Sequence, residues 1–153
     1  MSSVIHFRST PESLGMTRRT VTSNLRWPTA IALLVAAAAH IPVIPEHLHE
    51  APYMGVLFVG FTVVSTTMAV VVAVRGAAPA AFRVSGTVCA AAIAMYCLTR
   101  LVAFPELGDD VGNWSETAGL IAIASETTVV ALSVAVLVGL RRPTRRLAVT
   151  AAV

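Results

Sequence analysis

An acidic residue, Glu126, lies within the last long apolar segment of this chain. A charged group near the middle of a bilayer costs at least ~2.5–3.5 kcal/mol on insertion scales, so an intramembrane acid is a candidate functional residue. Ala118, Ala122 and Glu126 recur every fourth residue, which places the acid on a small-residue helix face that packs against neighbouring helices. Two interpretations stay open, a carboxyl used for chemistry and a structural carboxyl held by hydroxyl groups. The candidate hydroxyl donors are Thr62, Ser65 and Thr99.

Arg100 is the second candidate catalytic residue, near the end of the third apolar segment. Its long side chain can reach the lipid headgroups, or it can pair with an acid in either direction along the bundle. Glu126 lies deeper in the membrane than Arg100, whereas Glu116 and Asp110 lie closer to the surface. The sequence does not decide between these partners.

Three of the four histidines fall in one short stretch, residues 40–50, with two glutamates among them. Glu46 and His49 form Glu-x-x-His, a spacing that puts a carboxylate and an imidazole on one helical face. Di-iron four-helix bundles use that element twice, but this chain holds it once. Such ligands suit Zn, Fe or Cu, so a metal site is one hypothesis. The candidate metal ligands are His40, Glu46, His47, His49, Glu50 and Glu116.

The same stretch also fits ordinary helix-start chemistry. Pro45 suits the first turn of a helix, and Glu46 and Glu50 then lie near the positive end of the helix dipole. A later acidic loop, residues 105–116, similarly indicates a turn, because Asn113 and Glu116 have the spacing of a capping box that opens the next helix. Its Asp109–Asp110 pair lacks the ligand spacing of an EF-hand loop.

The composition predicts the elements that position these residues. Of 153 residues, 56% are hydrophobic and 12% are charged, whereas a soluble domain has roughly a quarter of its residues charged. Apolar segments are predicted to span the bilayer at residues 27–44, 51–74, 80–104 and 114–140, which makes the fold an all-α integral membrane four-helix bundle. Residues 1–25 are predicted to be a disordered cytoplasmic tail, residues 26–141 the transmembrane domain and residues 142–153 a second cytoplasmic tail.

The arginines predict the orientation. The chain has no lysine, and ten of its eleven arginines flank the apolar segments at the N-terminus, between the second and third spans, and after the fourth span, Arg100 being the exception. The positive-inside rule therefore places both termini in the cytoplasm, in a multi-pass protein of the cytoplasmic membrane, and this distribution argues against nucleic acid as a partner. Arg18–Arg19 before a short apolar run also resembles a twin-arginine signal peptide with cleavage after Ala39, and that alternative leaves three spans.

Two stretches carry a resemblance to other proteins. They are His40-Ile-Pro-Val-Ile-Pro-Glu-His-Leu-His-Glu-Ala-Pro-Tyr-Met-Gly55 and Gly108-Asp-Asp-Val-Gly-Asn-Trp-Ser-Glu116. In these stretches the chain resembles uncharacterised small four-span integral membrane proteins of high-GC bacteria. The resemblance implies a fold and a location and carries no activity.

The functional expectation is a non-enzymatic membrane protein with an acidic, histidine-bearing site in its outer half that binds a ligand or a divalent metal. One alternative is a structural subunit that packs on a membrane-protein partner or on a second copy of itself. The other is a membrane enzyme acting on a lipid or isoprenoid, with Glu126 as acid or base and Arg100 holding an anionic head group.

Overall fold

The computed structural model describes residues 11–75 and 78–141, with side chains described for residues 24–75 and 78–140. All regular elements in those ranges are helical. Four helical stretches are long and apolar enough to cross a membrane. The α-helices are α1 (Pro11–His40), α2 (Ile44–Glu50), α3 (Pro52–Arg75), α4 (Pro79–Leu101) and α5 (Thr117–Arg141), and short 3-10 turns occupy Ile41–Val43 and Gly108–Asp110.

Helix α1 differs from the expected first span at both ends. It begins at Pro11, so part of the expected disordered tail is helical, and residues 1–10 and 142–153 lie outside the described residues. Pro28 lies inside α1 and does not start it. Pro42 replaces one turn of α-helix by the 3-10 turn because proline lacks an amide proton, and the chain then continues as α2 to Glu50.

The long helices form a ring that is closed on three sides. α1 packs between α3 and α5, and α4 packs against α5, whereas α3 and α4 contact each other sparsely. Two connections, residues 41–51 and residues 102–116, meet at one end of this ring. We call this end of the ring the acidic end, because the two connections contain acidic residues and no arginine. The opposite end carries Arg26, Arg75 and Arg83.

Small residues bring the helices together, as the sequence predicted for Ala122 of α5. Ala32 and Ala36 of α1 and Ala122 of α5 are buried. On α4, Gly86 lies against Ser133 of α5, whereas Ala90 and Ala94, spaced at the same four-residue interval, are exposed. The buried side chains of α4 towards the arginine end are instead Ala81, Phe82, Ser85 and Cys89.

Two contacts fasten the acidic end. Gly55 of α3 lies so close to α2 that an added Cβ would stand 2.6 Å from the Leu48 backbone nitrogen. The Tyr53 hydroxyl donates a hydrogen bond of 2.7 Å to the Pro105 carbonyl oxygen, which ties α3 to the second connection. Met54 packs with Ala51 and Leu107 in a small buried cluster at the same place.

The close approach at Gly55 predicts a stability difference between two glycines of one helix. Gly55→Ala should destabilise the protein by about 1–3 kcal/mol because the methyl group meets the Leu48 backbone, which cannot rotate away. Gly60→Ala is the matched control, since a Cβ at Gly60 meets no atom within 4 Å. Unfolding of both variants in detergent micelles measures the difference. Equal stability of the two variants would contradict the packing at Gly55.

Candidate functional site

A cavity of about 640 Å³ lies inside the ring, between the acidic end and the middle of the helices. Most of its wall is apolar, with Phe58, Phe61 and Met95 among the lining side chains. On the α3 side the lining residues Val56, Leu57, Gly60 and Val64 are themselves exposed on the surface. The cavity is therefore open sideways, through the gap that α3 and α4 leave between them.

Two ionisable side chains meet at the wall of this cavity. Glu126 of α5 is 2% exposed, and its Oε1 lies 3.8 Å from Nε2 of His40 at the end of α1. His40 Nδ1 lies 2.8 Å from the Ala36 carbonyl oxygen, which can only accept, so Nδ1 carries a proton and Nε2 faces the carboxyl group. The distance of 3.8 Å is within ion-pair range but longer than a hydrogen bond, so both atoms can still bond to a third group.

The hydroxyl groups expected to hold Glu126 do not do so. The Thr62 and Ser65 hydroxyls are buried without a hydrogen-bond partner, and Thr99 donates to the Tyr96 carbonyl oxygen. None of the three hydroxyl groups that the structural interpretation requires therefore donates a hydrogen bond to Glu126. His40 is the ionisable side chain that lies nearest to this carboxyl group.

Arg100 is buried at the acidic end of the cavity and pairs with the two acids nearer the surface. Its Nη2 donates to Glu116 Oε2 at 2.7 Å, and its Nη1 pairs with the Asp110 carboxylate and donates to the Asp110 carbonyl oxygen at 3.3 Å. Gly112, at φ +79°, donates its amide to the Arg100 carbonyl oxygen at 3.0 Å. Arg100 thus fastens the connection 102–116 over the cavity and does not pair with Glu126.

This pairing also changes the start of the last helix. The capping box expected from Asn113 and Glu116 does not form, because α5 begins at Thr117 and the Glu116 carboxylate turns to Arg100. The Glu116 carbonyl oxygen accepts the first helical hydrogen bond, from the Leu120 amide at 2.9 Å. A buried guanidinium attracts this carboxylate more strongly than a neutral backbone amide does.

The six candidate metal ligands do not come together. Among the side chains described, residues 24–75 and 78–140, no group of three or more His, Cys, Asp or Glu residues is arranged to hold a metal ion. His40 faces Glu126, Glu116 is taken by Arg100, and His47 packs edge-on against Phe58. The Glu-x-x-His pair is on the outside of α2, where Glu46, His49 and Glu50 are exposed.

Sequence analysis missed the aromatic and apolar side chains that line the cavity. The face of α4 towards the cavity holds Val88, Ala92, Met95, Tyr96 and Thr99, with the three- and four-residue spacing of one helix face. The helical spacing of these residues could have shown that they share one face of α4. It could not have shown that the face lines a cavity, because faces that contact lipid or another helix have the same residue types. Tyr96 is distinctive, since its buried hydroxyl has no hydrogen-bond partner.

Comparisons with protein-family models, with curated proteins and with solved structures find no match to the chain. Evidence on the function of this chain therefore comes from the geometry and chemistry of the cavity.

The Arg100–Glu116 pair predicts coupled effects on stability. In a double-mutant cycle of Arg100→Met and Glu116→Gln, the coupling free energy should be about 1 kcal/mol, because Arg100 is buried but Glu116 is a third exposed. Reversible unfolding in mixed micelles measures it. The control is Arg83→Met at an exposed arginine, which should change stability by less than about 0.5 kcal/mol. Additive effects of Arg100→Met and Glu116→Gln would show that the pair contributes nothing.

Proposed function

We propose that this chain is a multi-pass protein of the cytoplasmic membrane, with both termini in the cytoplasm, that binds a small, mainly apolar ligand taken from the bilayer. Large apolar side chains on the outside of α3 support the membrane location, among them Val63 at 59% and Val74 at 76% exposure. Such a surface needs lipid or protein to cover it. The separation of arginines from acids at the two ends of the bundle supports the orientation.

The observation that carries the ligand proposal is the cavity that opens between α3 and α4 and holds Glu126 and His40 in its wall. Its volume of about 640 Å³ lies within the range of ligand pockets, roughly 300–1,000 Å³. A mainly apolar wall with few polar groups binds the body of a ligand by burial and orients it by the polar groups. The side opening faces lipid in the proposed membrane orientation, so the ligand enters from the bilayer.

The orientation predicts which sites a membrane-impermeant thiol reagent reaches. In a chain with Cys89 and Cys97 replaced by alanine, Asp109→Cys should be labelled from outside intact cells, because Asp109 is exposed at the acidic end. Arg83→Cys, exposed at the opposite end, should be labelled only after the cells are opened. Labelling of Arg83→Cys in intact cells would reverse the proposed topology.

If the ligand enters through the side opening, a bulky side chain that closes this opening should weaken ligand binding. N-phenyl-1-naphthylamine, an uncharged fluorophore, should bind saturably to the purified protein in lipid nanodiscs. Gly60→Trp should weaken this binding at least about tenfold, because it fills the opening where no atom obstructs a larger side chain. Val63→Trp is the matched control, since Val63 lies on the same helix, is exposed and does not line the cavity.

Unchanged binding in Gly60→Trp would contradict the entry route. Equal loss in the two tryptophan variants would mean that the fluorophore reports the protein–lipid surface and not the cavity.

A further inference from the structure

The charges in the cavity wall do not sum to zero. Arg100 is the one arginine in that wall, and it is already shared by two carboxylates, Asp110 and Glu116. The group of three therefore carries one uncompensated negative charge. A guanidinium paired with two acids has no free charge to offer an anionic head group, which removes the support for the expectation that Arg100 holds one.

Glu126 adds a further acidic group to the cavity wall. Its partner His40 holds its proton on Nδ1, towards the Ala36 carbonyl oxygen, so the neutral imidazole presents a lone pair to the carboxylate and does not balance it. If Nε2 also binds a proton, the His40–Glu126 pair becomes neutral and the negative charge at Arg100 remains. The summed charge of Arg100, Asp110, Glu116, Glu126 and His40 is negative in both cases.

Two aromatic rings pack against His40, the neighbour of the Glu126 carboxyl group. The His40 ring lies 4.5 Å from the Phe61 centroid and 5.2 Å from the Phe58 centroid, and both phenylalanines line the cavity. The faces of aromatic rings attract cations, most strongly where water is excluded. The Tyr96 ring shows this preference within the structure, since the Arg100 guanidinium lies 4.7 Å from its centroid.

We propose that the ligand is an amphiphilic organic cation, an ammonium group on an apolar body, with Glu126 as its counter-ion. This inference rests on the proposed function and adds the charge of the ligand. A cation next to Glu126 gains a charge-assisted contact in an apolar wall, whereas an anion meets an excess of carboxylates. The acidic end strengthens the preference, because residues 102–116 and 41–51 hold acids and no arginine.

The test uses two probes of the same shape and opposite charge, tetraphenylphosphonium and tetraphenylborate. Each displaces N-phenyl-1-naphthylamine from the full-length protein in nanodiscs of uncharged lipid, corrected for partition into protein-free nanodiscs. Tetraphenylphosphonium should displace the fluorophore at least about tenfold more effectively than tetraphenylborate, as expected for one buried charge contact.

Substitutions locate that charge. Glu126→Gln keeps the shape of the side chain and should bring the phosphonium affinity down at least about tenfold, while N-phenyl-1-naphthylamine still binds. The matched control is Glu46→Gln, which removes an exposed carboxylate outside the cavity and should change phosphonium affinity less than about twofold at 0.15 M salt. Retained fluorophore binding shows that Glu126→Gln is folded.

The outcomes separate the two proposals. If N-phenyl-1-naphthylamine does not bind the parent protein, the proposed function fails. If it binds and both ions displace it equally, or if Glu46→Gln weakens phosphonium binding as much as Glu126→Gln, a cation site at Glu126 is overturned and the cavity proposal stands.

Discussion

The packing of α1 between α3 and α5 determines the rest of the structure. Ala32, Ala36 and Leu33 of α1 are buried, and the small alanines allow the close helix approach that stabilises bundles in lipid. On the other side of the ring α3 and α4 contact each other sparsely, and the cavity lies beside the gap between them. The same helix delivers His40 to Glu126, so one packing arrangement produces both the space and the polar groups in it.

The polar groups divide into two sets with different physical roles. Both terminal nitrogens of Arg100 pair with acids of the adjoining connection, which fixes the acidic end of the cavity without leaving a charge for a ligand. Glu126 and His40 are close but longer than hydrogen-bond distance apart, and the hydroxyls nearby do not satisfy the carboxyl. Burial of an acid costs free energy unless a partner offsets it. In the proposed function, a polar group of the ligand pairs with the Glu126 carboxyl group and so offsets the free-energy cost of its burial.

Hydropathy predicted α3, α4 and α5 well because each of these apolar segments is long enough to cross the bilayer, whereas the first segment is shorter and its helix extends to Pro11. Residues 51–74 and 80–104 match α3 and α4 within a few positions. The partners of Arg100 were not predictable, because the choice between Glu126 and Glu116 depends on where α5 begins, and that start moved to Thr117 when the capping box did not form. Likewise, the small-residue face of the last segment indicated that Glu126 lies inward, but its pairing with His40 depends on the register between helices, which no single segment contains. The cavity arises from the gap between α3 and α4 and has no sequence pattern of its own.

The central claim is that bilayer molecules reach the inner face of α4 through this gap. Phospholipids with a photoreactive diazirine in the acyl chain test it directly, in the unmodified protein reconstituted into vesicles, with mass spectrometry locating the adducts. The account predicts adducts at Ala92 and Met95, which line the cavity, as well as at Val134, which is exposed on α5. Adducts at Val134 with none at Ala92 or Met95 would show that lipid does not enter, and would contradict the account.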